Sequence, residues 1–380
     1  MTAKVTWTDM RTRGGASMLD KFARMLEKSE LASMDLANKF VAIKMHLGEP
    51  GNTSIIRPIY VKTLVDFIRE RGGKPFLTDC NTLYVGGRKN ALDHIDSAYL
   101  NGFSPLTVGA HVIIADGLKG TDEVEVPLEG MTYCPAPKIG RALMDADVVV
   151  SLTHFKGHEE AGFGGALKNI GMGGGSRTGK MEQHAAGKPV VNPDSCVGCR
   201  QCARNCAHRA ITFSKLREAD KAPKAVIDHE RCVGCGRCIG ACNQDAIEPQ
   251  WDEAREVLNH KIAEYTLAVV KDRPCFHISL VMDVSPSCDC NNHSDTPIVP
   301  NVGIFCGLDP VALDQACADA VNAAPILQNT ALTDAAGCDH HEDEHGHFHV
   351  VHPETCWEEQ LIHGERIGLG KRKYELVKVG

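Results

Sequence analysis

Eight cysteines occur in two runs with one spacing, C-x2-C-x2-C-x3-C. The first run is Cys196, Cys199, Cys202 and Cys206, and the second is Cys232, Cys235, Cys238 and Cys242. Each cysteine of the second run lies 36 residues after its counterpart, so the pattern is an internal repeat. In this spacing three thiolates of a run hold one iron–sulfur cube, and the fourth binds the other cube. The repeat therefore predicts two [4Fe-4S] clusters, held by Cys196, Cys199, Cys202 and Cys242, and by Cys232, Cys235, Cys238 and Cys206.

Zinc and disulfides are the alternative uses of these cysteines. A structural zinc site normally combines two C-x2-C pairs across a longer loop, and the third cysteine of each run exceeds what a local zinc site needs. Disulfides are disfavoured because the total of 17 cysteines is odd and no signal peptide precedes them. Ala207 and Asn243 stand where many bacterial ferredoxins have proline, which affects local rigidity and reduction potential and leaves ligation intact.

Composition narrows the classes of partner. The chain has 380 residues and a net charge of −8, which disfavours nucleic acid and anionic membranes as partners. No apolar stretch approaches the roughly eighteen residues that a membrane-spanning helix needs, and the first ten residues do not resemble a signal peptide. We therefore expect a soluble, cytoplasmic protein that meets a redox partner protein or a small-molecule substrate. Exposed low-potential clusters also suggest a reducing, anaerobic cell.

Apolar runs alternate with amphipathic stretches on both sides of the cysteine repeat, the pattern of an α/β domain with a largely parallel sheet. Predicted helices cover 19–38, 58–71, 88–100, 138–145 and 252–270, and another begins at Asp309-Pro310. Predicted strands cover 40–47, 75–78, 111–115, 147–152, 276–283 and 302–305. We interpret residues 1–188 and 251–380 as one α/β host domain, with an α+β ferredoxin-like module at 189–250 inserted between them. Within the module, 211–213 and 225–228 are predicted to form a hairpin.

A second group of reactive side chains follows the predicted strand 147–152, at the end where open α/β sheets bind ligands. Imidazoles and amines there supply metal ligands, proton carriers or anion contacts, and the many glycines let backbone approach a ligand. The candidate catalytic residues are His154, Lys156, His158, Lys168, Asn169, Lys180 and His184. The alternative is a glycine-rich surface loop without a site. No hydroxyl residue follows Lys180, and no complete dinucleotide fingerprint occurs, so bound NTP and NAD are disfavoured.

Cys288 and Cys290 follow another predicted strand. Two thiols one residue apart bind a soft metal or form a redox pair, although buried cysteines are often only packing residues. The predicted ligands of an additional transition metal are His154, His158, His184, Cys288 and Cys290. Near the carboxyl terminus lie His340, His341, His345, His347, His349 and His352, of which His345, His347 and His349 would share one face of a strand. They either complete a metal site or line a solvated surface.

Several blocks resemble one protein family. They include His154-Phe-Lys-Gly-His158, Gly-Gly-Ala-Leu-Lys168-Asn169, Cys288-Asp-Cys290 and Gly307-Leu-Asp-Pro-Val-Ala-Leu-Asp314. These blocks are similar to the domain of unknown function 362 (DUF362) family, whose members are iron–sulfur cluster-binding proteins with a ferredoxin module in an α/β domain. The resemblance implies the clusters and the architecture but no substrate. A fainter similarity to the nickel-pincer lactate racemase fold implies a cleft between two α/β lobes.

Three functions follow from these features. The leading hypothesis is a redox protein, as an enzyme an iron–sulfur oxidoreductase, whose two clusters exchange electrons with a metal or small-molecule site in the host domain. Fusing the module to that site raises the effective concentration of the electron donor. A second hypothesis is a protein that delivers clusters, sulfur or metal to a partner without turning over a substrate. In a third, the clusters are structural and the host domain is a non-redox enzyme.

Overall fold

The computed structural model describes residues 2–184, 187–215, 222–336 and 346–379. The strands are β1 (Ala3–Asp9), β2 (Phe40–Lys44), β3 (Lys74–Asp79), β4 (His111–Ile114), β5 (Glu123–Glu125), β6 (Lys138–Gly140), β7 (Val148–His154), β8 (Lys156–His158), β9 (Gly162–Gly164), β10 (Val190–Val191), β11 (Ile211–Phe213), β12 (Ala225–Ile227), β13 (Ile247–Glu248), β14 (Cys275–Val281), β15 (Gly303–Gly307) and β16 (Tyr374–Lys378). The helices are α1 (Met18–Lys28), α2 (Pro58–Glu70), α3 (Ala91–Leu100), α4 (Arg141–Met144), α5 (Ala166–Gly174), α6 (Arg177–His184), α7 (Gln201–Asn205), α8 (Arg237–Ala241), α9 (Arg255–Val270), α10 (Pro310–Asn322), α11 (Ala331–Ala336), α12 (Gly346–Val351) and α13 (Glu358–Arg366).

Eight strands form the central sheet in the order β16-β1-β15-β14-β7-β2-β3-β4. Only β15 runs antiparallel to its two neighbours, β1 and β14, and the other pairings are parallel. The predicted α/β class with a largely parallel sheet is therefore confirmed. Every residue of β7 is buried, as expected for a parallel strand covered on both faces.

Helices cover both faces of the sheet. On one face, Phe22 of α1 and Leu64 of α2 pack with Ile43 of β2 and Leu152 of β7. On the other face, α9 and α10 bury their apolar side chains with those of β14 and β15. Helix α9 has many buried residues around its circumference, because α5 packs on one side of it and α13 on another. These two layers fix the carboxyl ends of the parallel strands.

Most predicted host-domain elements are present, but several bounds differ. The helix expected over 19–38 ends at Lys28, and a separate 3₁₀ turn spans Glu30–Ser33. The helix expected over 138–145 is only α4, because its first residues pair with β5 as strand β6. The sequence analysis did not predict β1 or the edge strand β16. Within the described residues, no helix is long and apolar enough to cross a membrane.

The strand expected for His345, His347 and His349 is wrong. His347 and His349 lie on helix α12, so their alternation does not place them on one strand face. His340, His341 and His345 lie outside the described residues. His352 Nε2 is 2.8 Å from the carbonyl oxygen of Pro286, which assigns it to holding the loop that precedes Cys288.

The segment between the two parts of the central sheet carries the cysteine repeat. Strands β11 and β12 pair antiparallel, which confirms the predicted hairpin pairing. Strands β10 and β13 also pair antiparallel, so the beginning and the end of the segment lie side by side. Helices α7 and α8 each start after a left-handed residue, Arg200 with φ 67° and Gly236 with φ 64°. The repeat in sequence is thus a repeat in backbone conformation, while the ferredoxin-like module and its bounds at 189–250 stay predictions.

Helices α5 and α9 touch through Gly171. A methyl group on Gly171 would lie 2.2 Å from the carbonyl oxygen of Ile262 and 2.7 Å from Thr266 Oγ1. The helices would have to separate, so we expect Gly171→Ala to lower the free energy of unfolding by about 1–3 kcal/mol. Urea denaturation measures this loss. Gly14→Ala is the matched control, because a methyl group at Gly14 meets nothing within 4 Å, and equal stability of the two variants would contradict this packing.

Candidate functional site

A cavity of about 620 Å³ opens at the carboxyl ends of β2, β3 and β7. The structure brings the following predicted residues together on its wall: His154, Lys156, His158, Lys168, Asn169, Lys180, His184, Cys288 and Cys290. Cys80, which follows β3 directly, also lines it. The cavity lies where parallel strands end, the expected position for a ligand in an open α/β sheet.

The glycine-rich segment after β7 is not a surface loop. It forms the β8–β9 hairpin and then α5 and α6, and most of its residues are buried. Two of its glycines, Gly165 and Gly173, leave space for charged side chains of the protein. A methyl group on Gly173 would lie 2.5 Å from Lys44 Nζ, and one on Gly165 would lie 2.4 Å from Asp314 Oδ1. These two glycines allow helix α5 to approach Lys44 and Asp314 closely, and Gly173 also lines the cavity.

Asn169 holds helix α5 against the sheet, and Lys180 joins helix α6 to the end of α5. Asn169 Nδ2 donates to the carbonyl oxygen of Lys44 and to Thr153 Oγ1, both at 3.0 Å, and Asn169 Oδ1 accepts from Lys44 Nζ at 2.9 Å. Lys180 Nζ donates to the carbonyl oxygen of Gly175 at 2.6 Å, just beyond the last turn of α5. Both side chains line the cavity, and their hydrogen bonds assign them to positioning its wall.

A buried network of charges lies at the ends of β2 and β3. Asp79 Oδ1 is 3.0 Å from Lys44 Nζ, and its other oxygen is 3.6 Å from Arg88 Nη1. Arg88 Nε also donates to Glu49 Oε2 at 3.0 Å. Burial by itself raises the pKa of Asp79, but the positive charges of Lys44, His94 and Arg88 bring that pKa well below its usual value. The sequence analysis did not name Lys44, Asp79 or Arg88 as site residues, although Lys44 and Asp79 end the observed strands β2 and β3.

Both ring nitrogens of His154 have polar partners. Nδ1 is 2.9 Å from Asp289 Oδ1, and Nε2 is 2.9 Å from the carbonyl oxygen of Met282. Lys156 Nζ lies 3.4 Å from the other oxygen of Asp289. Burial raises the pKa of Asp289, but His154 and Lys156 together bring it well below its ordinary value. In this structure both ring nitrogens of His154 hold the segment that leads into and carries Cys288 and Cys290.

His184 lies at the far end of α6. Its Nδ1 is 3.1 Å from Glu160 Oε2, and its ring meets the edge of Trp251, with ring centroids 4.9 Å apart. Burial lowers the pKa of His184, although Glu160 opposes that shift. The predicted metal ligands His154 and His184 thus contact groups other than the thiols of Cys288 and Cys290.

His158, Cys288 and Cys290 form the compact donor group of the cavity. Their ligand atoms all lie within 4.8 Å of one another. His158 Nδ1 accepts from the backbone N–H groups of Glu160 and Ala161, each at 3.1 Å, which leaves Nε2 for the thiols. One imidazole and two thiols suit a soft transition metal or a stabilised thiolate.

The pKa values of the two thiols are shifted in opposite directions. A hydrogen bond from Cys290 holds the pKa of the Cys288 thiol well below its usual value despite burial, with help from Lys168 and His158. The same hydrogen bond raises the pKa of Cys290, together with burial. Glu159 Oε1 holds the loop, because it accepts from the side-chain amide of Asn291 at 2.7 Å and from the backbone N–H of Cys288 at 3.4 Å. Of the two thiols, Cys288 is the one whose pKa is lowered.

Metal binding at these thiols can be tested directly. We expect the protein to bind about one Co²⁺ or Zn²⁺ ion per chain at His158, Cys288 and Cys290, and Cys290→Ser to lose that ion, because two sulfur ligands and an imidazole form a soft site. Elemental analysis after gel filtration measures the stoichiometry. Cys306→Ala is the control, since Cys306 is buried in β15 among apolar side chains. If wild-type protein binds no extra ion, Cys288 and Cys290 act as thiols.

The eight repeat cysteines gather into two sets of four. Cys196, Cys199, Cys202 and Cys242 line one small cavity, and Cys206, Cys232, Cys235 and Cys238 line another. Each set combines three cysteines of one run with the fourth cysteine of the other run. The arrangement in space thus follows the crossed pairing that the spacing suggests.

The spacing of these thiols differs from that of a zinc site. Thiolates around tetrahedral zinc lie about 3.8 Å apart, because each Zn–S bond is about 2.3 Å long. In the part of the chain that the structure describes, the compact groups of three His, Cys, Asp or Glu donors within 4.8 Å are His158, Cys288 and Cys290, and Glu256, His260 and Glu359. The repeat cysteines form no such compact group, so they are arranged more widely than zinc ligands.

Helix α6 separates the large cavity from the cysteine repeat. Its residues Lys180 and His184 line the cavity. Met181, on the same helix, packs in one apolar cluster with Cys238 and Ile239 of the repeat. Leu83 of the host domain belongs to both the cavity wall and that apolar cluster. One layer of side chains therefore contacts both sites.

Comparison with known proteins places the chain in a family. A family model for DUF362, a domain of unknown function, matches residues 41–319. This chain belongs to the DUF362 family. No curated protein sequence matches it.

Two solved structures are similar to this DUF362 protein. The lactate racemase apoprotein from Thermoanaerobacterium thermosaccharolyticum has 13% sequence identity and a TM-score of 0.38, over 74% of this chain and 51% of that one. A protein from Thermotoga maritima has the same identity and TM-score, over 71% of this chain and 52% of that one. The chain thus spans about half the length of each of these structures.

Proposed function

We propose that this DUF362 protein is an iron–sulfur redox protein that carries two [4Fe-4S] clusters and exchanges electrons with the large cavity. Cys196, Cys199, Cys202 and Cys242 would hold one cluster, and Cys206, Cys232, Cys235 and Cys238 the other. The observation that carries the proposal is the crossed gathering of the eight thiols around two separate small cavities. When bound, such clusters supply one-electron transfer.

The surroundings of the thiols suit negatively charged sulfur. The backbone N–H of Ala210 donates to Cys206 Sγ, and that of Ala246 donates to Cys242 Sγ, both at 3.3 Å. Ala225 N–H donates to Cys196 Sγ at 3.4 Å. Hydrogen bonds to cluster sulfurs stabilise added negative charge and influence the reduction potential. The first two bonds are equivalent in the repeat, so both cysteine sets have matching support.

The large cavity supplies the groups that a redox substrate would need. Lys168 and His184 offer positive or hydrogen-bonding contacts to an anionic group. His158 Nε2 faces the thiols and can move a proton there. Cys288 offers a thiolate, either as a ligand of a soft metal or as a nucleophile. We therefore propose a small anionic molecule as the substrate class.

A redox titration under anaerobic conditions tests this function. We expect the purified protein to take up two electrons in one-electron steps and the reduced protein to give electron paramagnetic resonance (EPR) signals of two interacting [4Fe-4S] clusters. The Cys288→Ala variant should take up the same number of electrons as the wild-type protein, because Cys288 is not in either cysteine set. Protein that accepts no electrons and gives no cluster signal would contradict the proposal.

One observation favours a second function, delivery of clusters to a partner. Cys199 is exposed, so the first cysteine set is accessible from solvent. A delivery protein should transfer iron and sulfide to an apo-acceptor within the time of mixing. A redox protein should keep both clusters through repeated reduction and oxidation. Measuring the iron retained after several such cycles separates the two functions.

A further inference from the structure

Two of the differences between the copies of the cysteine repeat lie at positions that contact the host domain in the second copy. Arg200 and Arg204 of the first copy correspond to Gly236 and Gly240 of the second. Backbone conformation does not require glycine at the first of these positions, because Arg200 adopts the same left-handed conformation as Gly236. The glycines of the second copy therefore need another explanation.

Arg177 of helix α6 provides it. A methyl group on Gly236 would lie 3.3 Å from Arg177 Cγ, and one on Gly240 would lie 2.8 Å from Arg177 Cζ. The arginine side chain thus runs across both glycines, which flank Cys238. The first copy carries no such contact at its exposed Arg204. The second cysteine run is shaped to receive a host-domain side chain.

The guanidinium of Arg177 is fully buried and only partly satisfied. Nε donates to the carbonyl oxygen of Lys119 at 3.0 Å, and Nη2 donates to that of Lys89. Nη1 has no hydrogen-bond partner among the described residues. A buried donor without an acceptor destabilises the folded protein, and a negatively charged group beside Nη1 would offset that cost.

Two further contacts join α6 to the same run. Thr178 Oγ1 donates to the carbonyl oxygen of Cys235 at 3.3 Å. Met181 Cγ lies 2.9 Å from the position that a methyl group on Gly236 would take. Since Lys180 and His184 of α6 line the cavity, this helix links the cavity to the second run through residues 177–184.

We propose that Arg177 is a positioning residue that docks α6 on the second cysteine run and raises the reduction potential of the cluster held by Cys206, Cys232, Cys235 and Cys238. This inference rests on the proposed function. A reduced cluster carries one more negative charge than the oxidised one, and a buried positive charge nearby stabilises it. The second set is then the one that exchanges electrons with the cavity, and the first set faces the external redox partner.

The test measures the two reduction potentials separately. We expect Arg177→Gln to lower the equilibrium constant for reduction of one cluster at least tenfold, which is 59 mV for one electron. EPR-monitored redox titration gives both values. Arg204→Gln is the matched control, because it removes the same charge from the corresponding exposed site of the first copy, and we expect little change. Arg177→Lys should recover most of the shift because the charge is kept.

Proteins that keep only one cluster show which cluster's reduction potential Arg177 changes. The shift should persist in Cys199→Ala protein and be absent in Cys232→Ala protein. If Arg177→Gln fails to fold, Gly240→Ala displaces the guanidinium by steric contact and should give a smaller shift of the same sign. Normal iron with unchanged potentials, or equal shifts in both clusters, would overturn this inference. Wild-type protein that contains no iron would instead overturn the proposed function.

Discussion

Replacing Cys242 by alanine is expected to remove the same cluster as replacing Cys199, although the two cysteines belong to different runs. Cys242 lines the small cavity of Cys196, Cys199 and Cys202. Loss of one thiolate leaves that cube with three protein ligands, so the iron content should fall from about eight to about four atoms per chain. Iron analysis and the EPR spectrum of the remaining reduced cluster measure the effect.

The other cysteine set provides the control for this experiment. Cys206→Ala should leave the cluster that Cys242→Ala removes, and it should match Cys232→Ala in its spectrum. The double variant Cys199→Ala/Cys242→Ala should then resemble each single variant. If the variants pair by run instead, with Cys242→Ala matching Cys232→Ala, the crossed arrangement is contradicted.

Replacing Asp79 by asparagine is expected to lower the free energy of unfolding by about 3–5 kcal/mol, since it leaves buried charges without their partner. Lys44 is buried against Asp79, and Arg88 lies on the other side of the carboxylate. The asparagine has nearly the same shape, so the loss reports charge and hydrogen bonding more than packing. Urea denaturation of the cluster-loaded protein measures it.

An exposed ion pair supplies the comparison. Lys62 and Asp66 lie one helical turn apart on α2, both about half exposed, with 2.7 Å between Nζ and Oδ2. Asp66→Asn should cost about 0.5 kcal/mol or less, because solvent screens exposed pairs. Similar losses for Asp79→Asn and Asp66→Asn would show that the charges at the ends of β2 and β3 do not support the cavity wall.

Sequence reasoning was strongest where spacing alone limits the chemistry. The run Cys196, Cys199, Cys202 places its thiols in one tight loop, and the repeat then suggests which fourth cysteine joins them. The central strands were also predictable, because β7 begins with three valines and has Leu152 two residues after them. Edge strand β16 has five residues, none of them buried, so it gave little signal.

The roles of individual cavity residues depended on contacts between distant parts of the chain. His154 was a plausible metal ligand in sequence, but it pairs with Asp289, 135 residues later. Asn169 was grouped with catalytic residues, yet it joins α5 to Lys44, 125 residues earlier. Glycines 165 and 173 suggested a ligand loop, and their actual neighbours are protein side chains. Residue type and local spacing do not contain these distances.

Counting iron and acid-labile sulfide in anaerobically purified protein tests the central claim most directly. The proposed function predicts about eight iron atoms and about eight sulfides per chain, in two [4Fe-4S] clusters. About two zinc ions per chain without sulfide would contradict it.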